Sequence, residues 1–264
     1  MNIQTKKRNK KYEFLVAFFI GLMLLPLMSC IGKTENNKTN IGMDDMAKKE
    51  ETLVAKPKRI GVIGAGWLGG TVGSLWVKAG HEVMFSSRHP EELKEMAAKL
   101  GPNASVGTIA EAAAYGDILL FAVPYDAMPQ LGKDLEKYLN GKVVLDACNG
   151  GSGDLASEVA VNGAGPTSAK YLKGSLLVRA FSSEDATAVE ASFNRKNNKL
   201  AVPLAGNDKE AVEIAAQLII DAGCVPIIVG DLSTGVKFQR NTPAFRANTN
   251  VSELRKLLGL PEEK

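Results

Sequence analysis

From about residue 58 onward, short apolar runs alternate with stretches of helical spacing. Residues 60–63 form a β-branched run, and Val72, Leu75, Trp76 and Ala79 then fall on one helical face that Gly80 closes. Residues 81–86 predict a second strand, and residues 90–100 a helix with Pro90 in its first turn. Residues 104–106 predict a third strand, and Thr108 caps a helix over 109–115. The run DILLFAV at 117–123 predicts a buried strand stopped by Pro124. Residues 125–139 predict a helix broken near Pro129, and 142–146 another buried strand after Gly141. Residues 146–165, rich in Gly, Ser, Asn and Ala, predict a loop at the carboxyl edge of the sheet. Strands are expected at 175–180, 201–204 and 225–229, with an amphipathic helix over 208–222 and a short helix over 251–258. Runs that do not alternate, separated by helices, imply a parallel sheet covered on both faces.

The start of the chain has a different pattern. Lys6, Lys7, Arg8, Lys10 and Lys11 are opposed only by Glu13, and residues 14–27 read FLVAFFIGLMLLPL. A basic stretch before a short apolar run predicts an export signal over residues 1–29, too short for a comfortable membrane span. It ends in Leu27-Met28-Ser29-Cys30, which resembles a bacterial lipobox. Cys30 is then the expected lipidated first residue of a mature lipoprotein, anchored to the membrane without spanning it. Residues 30–56 are polar and read as a flexible tether. No twin-Arg pair is present, and Ile31 after Cys30 points by the usual sorting pattern to the outer membrane, on its periplasmic or surface side.

Removing the signal changes the charge. The whole chain has 32 Lys+Arg against 29 Asp+Glu, but without residues 1–29 the balance is 27 against 28. The basic excess therefore belongs to the signal and gives no reason to expect nucleic acid. Cys148 and Cys224 flank apolar runs and read as small core residues, with a disulfide between them left open. No metal-ligand spacing occurs, so no metal is expected.

Chemistry enters at residues 58–80, KRIGVIGAGWLGGTVGSLWVKAG. The stretch Gly64-Ala65-Gly66-Trp67-Leu68-Gly69 lies between a strand and a helix, as a dinucleotide-binding turn requires. Gly64 permits the sharp turn, Gly66 lets a pyrophosphate approach the backbone, and Gly69 lets the helix pack on the strand. The helix N-terminus offers unpaired N–H groups to an anion. The expected fold is α/β, a Rossmann-type doubly wound, mostly parallel sheet over residues 57–180 with a small α/β extension over 181–264.

The cofactor preference is read after the second strand. An NAD-binding chain usually places a carboxylate there for the ribose hydroxyls. This chain has Ser86-Ser87-Arg88, whose hydroxyls and guanidinium suit a 2′-phosphate, so NADP(H) is expected.

Residues 57–231 resemble the NADP-dependent deazaflavin (coenzyme F-420) oxidoreductase-like family, whose dinucleotide domain is shared by the cytosolic part of ferric-reducing membrane proteins. The resemblance rests on the glycine turn, Ser86-Ser87-Arg88, Phe121-Ala122-Val123-Pro124, Asp146-Ala147-Cys148-Asn149 and Ala205-Gly206-Asn207-Asp208. It implies that Val123, Pro124 and Asn149 lie along the cofactor, and that a flavin or deazaflavin is a co-substrate. The chain departs from the family at Gly150, where Pro is common, and at Arg179-Ala180-Phe181-Ser182-Ser183, where Lys-Ala-Phe-Asn-Thr is common.

The expected chemistry is hydride transfer between NADPH and a flavin-like or other small acceptor. Such a transfer needs stacked rings and a water-poor site rather than a strong acid–base pair. Reduction of a small carbonyl or imine, and nucleotide binding without turnover, are the alternatives. No catalytic residue is assigned: His81 reads as a strand-edge residue, His89 lies in the cofactor half, and Arg179 fits an anion site and a structural ion pair equally. The expected partners are a small acceptor and the membrane, with a homodimer left open.

Overall fold

The computed structural model describes residues 56–261, so the export signal, Cys30 and the tether lie outside the described residues. Everything below concerns the compact unit that begins at Ala55. The eight strands are β1 (Arg59–Ile63), β2 (Glu82–Ser86), β3 (Ala104–Gly107), β4 (Ile118–Phe121), β5 (Val143–Asp146), β6 (Leu176–Arg179), β7 (Ala201–Gly206) and β8 (Val225–Gly230). They form one sheet in the order β3-β2-β1-β4-β5-β6-β7-β8. β1 to β6 are parallel, as the unalternating runs imply, and β1 and β4 are buried almost throughout.

The reversal at β7 is the structure's own information. β7 pairs antiparallel to β6 through Val178↔Gly206 and Arg179↔Ala205, and β8 then runs parallel to β7. β7 therefore runs back beside β6, against the direction of the first six strands. The same sheet thus carries residues 57–180 and residues 181–264 within one compact unit.

Helices cover both faces. α1 (Trp67–Lys78), α2 (Lys94–Leu100), α3 (Ile109–Tyr115), α4 (Met128–Asp134) and α5 (Glu136–Leu139) belong to the first half. α6 (Ala156–Asn162), α7 (Ala164–Tyr171), α8 (Ala186–Phe193), α9 (Lys209–Asp221) and α10 (Val251–Leu258) follow. Thr108 caps α3 with a full capping box, its side chain accepting from Glu111 N while Glu111 reaches back to Thr108 N at 2.7 Å.

The structure refines two expectations and adds one helix. The span 125–139 divides twice: a 3-10 turn over Tyr125–Ala127 gives way to α4 beside Pro129, which sits in the first turn where a missing N–H costs nothing, and a further break, not expected, falls at Leu135. Residues 146–165 are loop only in part, since α6 begins at Ala156. The stretch between β6 and β7 contains α8, whose Ala186 and Val189 are buried. Two layers of core result. On one face Trp76, Phe85, Phe181 and Leu218 pack together, and on the other Phe121, Tyr125, Met128 and Leu139. Among the described residues no helix is long and apolar enough to cross a membrane.

Candidate functional site

The glycine turn sits between β1 and α1 at the carboxyl edge of the sheet. Gly64 has φ +97°, and a Cβ there would also lie 2.6 Å from the Ala122 carbonyl oxygen. Any other residue would be strained twice over. Gly69 would bring a Cβ to 2.2 Å from the Gly64 carbonyl oxygen, which is the close helix–turn packing that its place in the motif demands. A Cβ on Gly66 would meet no protein atom within 4 Å, so it could obstruct only a ligand lying on the turn. α1 has no side-chain cap and no acidic residue in its first turn. Its first N–H groups thus remain available to an anion, and no carboxylate opposes one. Ala65 is buried, Leu68 half-buried, and Trp67 is 70% exposed beside the turn.

The end of β2 is tied to this turn. The Ser86 carbonyl accepts from Gly64 N at 3.1 Å and from Ala65 N at 2.7 Å. Ser86 is fully buried, and its hydroxyl donates to the Val62 carbonyl at 2.7 Å. Its hydroxyl is therefore turned away from the place where a 2′-phosphate would lie, and the residue acts on the turn through its carbonyl. Ser87 Oγ accepts from His89 N at 3.0 Å and keeps its own hydroxyl proton free to donate. Arg88 is exposed and, among the described residues, has no carboxylate within ion-pair distance. Ser87 and Arg88 line a cleft of about 370 Å³ with Pro90, Thr108, Ile109 and Leu131.

A second cleft, of about 410 Å³, opens at the ends of β4 and β5. Leu68, Val123, Pro124 and Asn149 line it beside Cys148, which brings these four expected cofactor residues together. Asn149 Oδ1 is buried here without a hydrogen-bond partner, an acceptor suited to an amide N–H of a ligand. These features fit a nicotinamide dinucleotide: an anion-ready helix end, a backbone open at Gly66, a guanidinium beyond β2 and an unmet acceptor past β5. A third cavity, of about 440 Å³, lies at the amino ends of the strands, at the opposite edge of the sheet from the glycine turn.

Under the second cleft lies a buried polar assembly. Arg179 Nη1 donates to Asp146 Oδ2 and to the Cys148 carbonyl, both at 2.7 Å, and both side chains of the ion pair are within 1% of full burial. Asp146 Oδ1 also accepts from Cys148 N at 3.0 Å. Arg179 is thus a structural pair, which resolves the two readings left open for it. The Tyr125 hydroxyl donates to the Ala164 carbonyl at 2.6 Å, and burial, helped by Asp146, pushes its pKa well above the usual tyrosine range. Burial also pushes the Cys148 thiol far up, so it stays protonated. None of these groups is placed to give a proton to a ligand in the cleft.

The run after β6 is one of the two places where the sequence departs from the family it resembles, and where the acceptor is expected to sit. Phe181 has φ +57°, an uncommon conformation for an aromatic residue, held by full burial and an edge contact to Trp76 at 6.1 Å. Ser182 Oγ is buried without a partner. Glu184 is 9% exposed, accepts from Ser183 Oγ at 2.6 Å, and burial raises its pKa to about 7. Arg240, on the segment before α10, also lines the second cleft. A lone Glu and a lone Arg in polar runs carry no local signal of this placement.

The other expectations fall as follows. His81 is 1% exposed, takes the Lys58 N–H on Nδ1 at 3.2 Å and meets Asp221 at 2.9 Å through Nε2, so it links β1 to α9 far from the clefts. Cys148 and Cys224 are free and buried. Among the described residues no cluster of His, Cys, Asp or Glu could hold a metal ion.

Comparison with known proteins agrees with this geometry. Residues 59–150 match the family described as NADP oxidoreductase, coenzyme F420-dependent. A glycerol-3-phosphate dehydrogenase (NAD(P)+) of Trichlorobacter lovleyi is 26% identical over 238 residues, spanning 75% of this chain and 67% of its own. Among solved structures, a hypothetical protein of Sinorhizobium meliloti superposes with a TM-score of 0.64 at 22% identity, over 76% of this chain and 98% of its own. A candidate F420-dependent NADP reductase of Arthrobacter gives 0.58 at 21% identity, over 68% of this chain and 87% of its own. These likenesses share the Rossmann-type α/β fold, and the chain is of the nicotinamide-dependent oxidoreductase kind. The likeness to the coenzyme F420-dependent NADP oxidoreductase family is carried by residues 59–150, which hold the glycine turn, Ser87, Arg88, Val123, Pro124 and Asn149.

Proposed function

We propose that this protein binds NADP(H) along the carboxyl edge of its sheet and transfers a hydride between it and a flavin- or deazaflavin-like acceptor in the cleft beside Val123 and Asn149. The observation that carries the reading is the uncapped, acid-free start of α1 behind Gly66, with unpaired Arg88 at one side and the unmet Asn149 Oδ1 at the other. The nicotinamide supplies the hydride. The chain orients and shields. The α1 N-terminus and Gly66 would hold the pyrophosphate, Ser87 and Arg88 the 2′-phosphate, and Asn149 Oδ1 the carboxamide N–H. Val123 and Pro124 give the ring an apolar wall that keeps water from the transferring atom. Among the described residues the clefts hold no poised proton donor, which favours a ring acceptor over a carbonyl or imine.

The test is oxidation of NADPH by the full chain with riboflavin, FMN or coenzyme F420, compared with a small ketone and a cyclic imine. Turnover with a ring acceptor and none with the other two is expected. Turnover with the imine or ketone alone would replace this reading, and tight binding with no turnover would make the protein a nucleotide-binding module.

The proposal includes export and lipid anchoring through Cys30. Such a location implies firm retention of the nucleotide, since NADPH is a cytosolic reductant and passage in the unfolded state carries none along. The same preparation tests the anchor, for a Cys30→Ser chain should leave the membrane fraction. If it stays there, lipid on Cys30 is not what holds the protein.

A further inference from the structure

Arg240 lies at the mouth of the second cleft, on a part of the chain outside the family-matched residues 59–150. Its side-chain stem packs on the loop after β5, with Cβ and Cδ each 3.5 Å from the point that a Cβ added to Gly151 would occupy. Its guanidinium carbon stands 5.4 Å from the ring centre of Phe245. That contact fixes the direction of the head group without neutralising it. Among the described residues no carboxylate lies within ion-pair distance of Arg240. Asp126, the acid in the same cleft, instead accepts from Leu155 N at 3.1 Å on one oxygen and crowds Gly153 with the other.

Arg179, the guanidinium nearest in sequence to the acceptor end, cannot serve a ligand, because Asp146 and the Cys148 carbonyl hold it at 1% exposure. The negative groups of the cofactor have their own partners at the α1 N-terminus and at Arg88. A guanidinium oriented by Phe245, without a carboxylate partner among the described residues and carried by a residue that lines the cleft, suits a planar oxyanion, which it can meet with two parallel N–H bonds.

We infer that the acceptor carries a carboxylate or phosphate and that Arg240 selects for it from the extension. This rests on the acceptor site proposed above. Arg240 is a specificity residue in this scheme, since it grips a part of the acceptor remote from the reacting ring.

The probes are FMN and riboflavin, which share one ring system and differ by a phosphate. Their binding to the NADP-saturated full chain is followed by flavin fluorescence, so the result does not depend on turnover. FMN is expected to bind about tenfold or more tighter than riboflavin, and the difference should shrink as salt is added. Arg240→Gln should bring the two affinities together, and Arg240→Lys should restore part of the gap because it keeps charge but not the fork. Equal binding of the two flavins by the native chain would overturn the inference, even if both are reduced. So would an Arg240→Gln chain that loses NADP(H) affinity to the same degree as FMN affinity, which would assign the guanidinium to the cofactor. A preference for FMN that depends on Arg240 but brings no hydride transfer would uphold the inference while removing the proposed reaction.

Discussion

At the β2 end of the sheet edge Arg88 is exposed, sits beside a half-buried serine, and meets no carboxylate among the described residues. At the β6 end Arg179 is 1% exposed and locked to Asp146 at 2.7 Å. Both arginines stand at or just past a strand end, and both follow short apolar runs. The first leaves its donors free for a ligand. The second holds two neighbouring strands together beneath the acceptor cleft. Position in the chain does not separate these roles; the presence of a buried carboxylate on the adjacent strand does.

The comparison breaks most visibly at Arg179. Arg179→Met would strand the Asp146 carboxylate in a site with no exposure, and removing one partner of a buried pair typically costs about 3–5 kcal/mol. Denaturant titration should show a loss of that size. Adding Asp146→Asn should recover part of it, because the stranded charge is gone while the bond from Cys148 N has an acceptor left. A loss below about 1 kcal/mol for the single change would mean that water reaches the pair, and the contrast with Arg88 would collapse.

How much of each end could be read from sequence follows from the range of the forces involved. The glycine turn, the Thr108 cap and the apolar runs of β1, β4 and β5 act within a few residues, so composition and spacing reveal them. The Arg179–Asp146 pair spans 33 residues and depends on β5 and β6 lying side by side in register. The β7 reversal rests on only two residue pairs, and nothing in the run 201–206 marks its direction. α8 was legible in principle, since Ala186, Val189 and Ser192 recur every third residue on a buried face. Ser and Ala carry too little hydrophobic contrast for that spacing to stand out. Ser86 shows a finer limit: the sequence places a hydroxyl near the phosphate site, but only the fold turns it to Val62.

Glu184 extends the contrast to pH. Burial raises its carboxyl from 4.5 to about 7. The folded chain therefore holds a proton there that the unfolded chain has lost between those values. By linkage, stability is greatest below the unfolded pKa and falls as pH rises through about 7. A shift of this size corresponds to about 3 kcal/mol at most. Glu184→Gln should flatten the slope, raising stability at about pH 8 and leaving it little changed at about pH 4, where the native carboxyl is already neutral. Thermal melts of both proteins across that range decide it. A native chain whose stability climbs between those pH values at this residue's expense would show that Glu184 is better solvated than its burial implies.

The gentlest probe touches the exposed end. Arg88 packs against nothing that its removal would leave unsatisfied, so Arg88→Ala should alter the melting temperature little. Its effect belongs to the ligand. NADPH and NADH differ only in the 2′-phosphate, and a hydrogen bond to a charged group contributes about 1.5–3 kcal/mol. Arg88→Ala should therefore weaken NADPH binding tenfold or more and leave NADH binding near its native value, as titration calorimetry would read. The Ser87 hydroxyl remains as a donor in that variant, so a residual preference for NADPH is expected, and it should disappear in Ser87→Ala/Arg88→Ala. Raising the salt concentration should erode the native preference, because the contact is exposed to screening. Arg240→Gln provides the counterpart from the other end of the edge: it should leave the NADPH-to-NADH ratio alone while changing the choice of acceptor. Equal weakening of both nucleotides by Arg88→Ala would mean that Arg88 meets a group the two share, and the 2′-phosphate would then have no guanidinium partner at the end of β2.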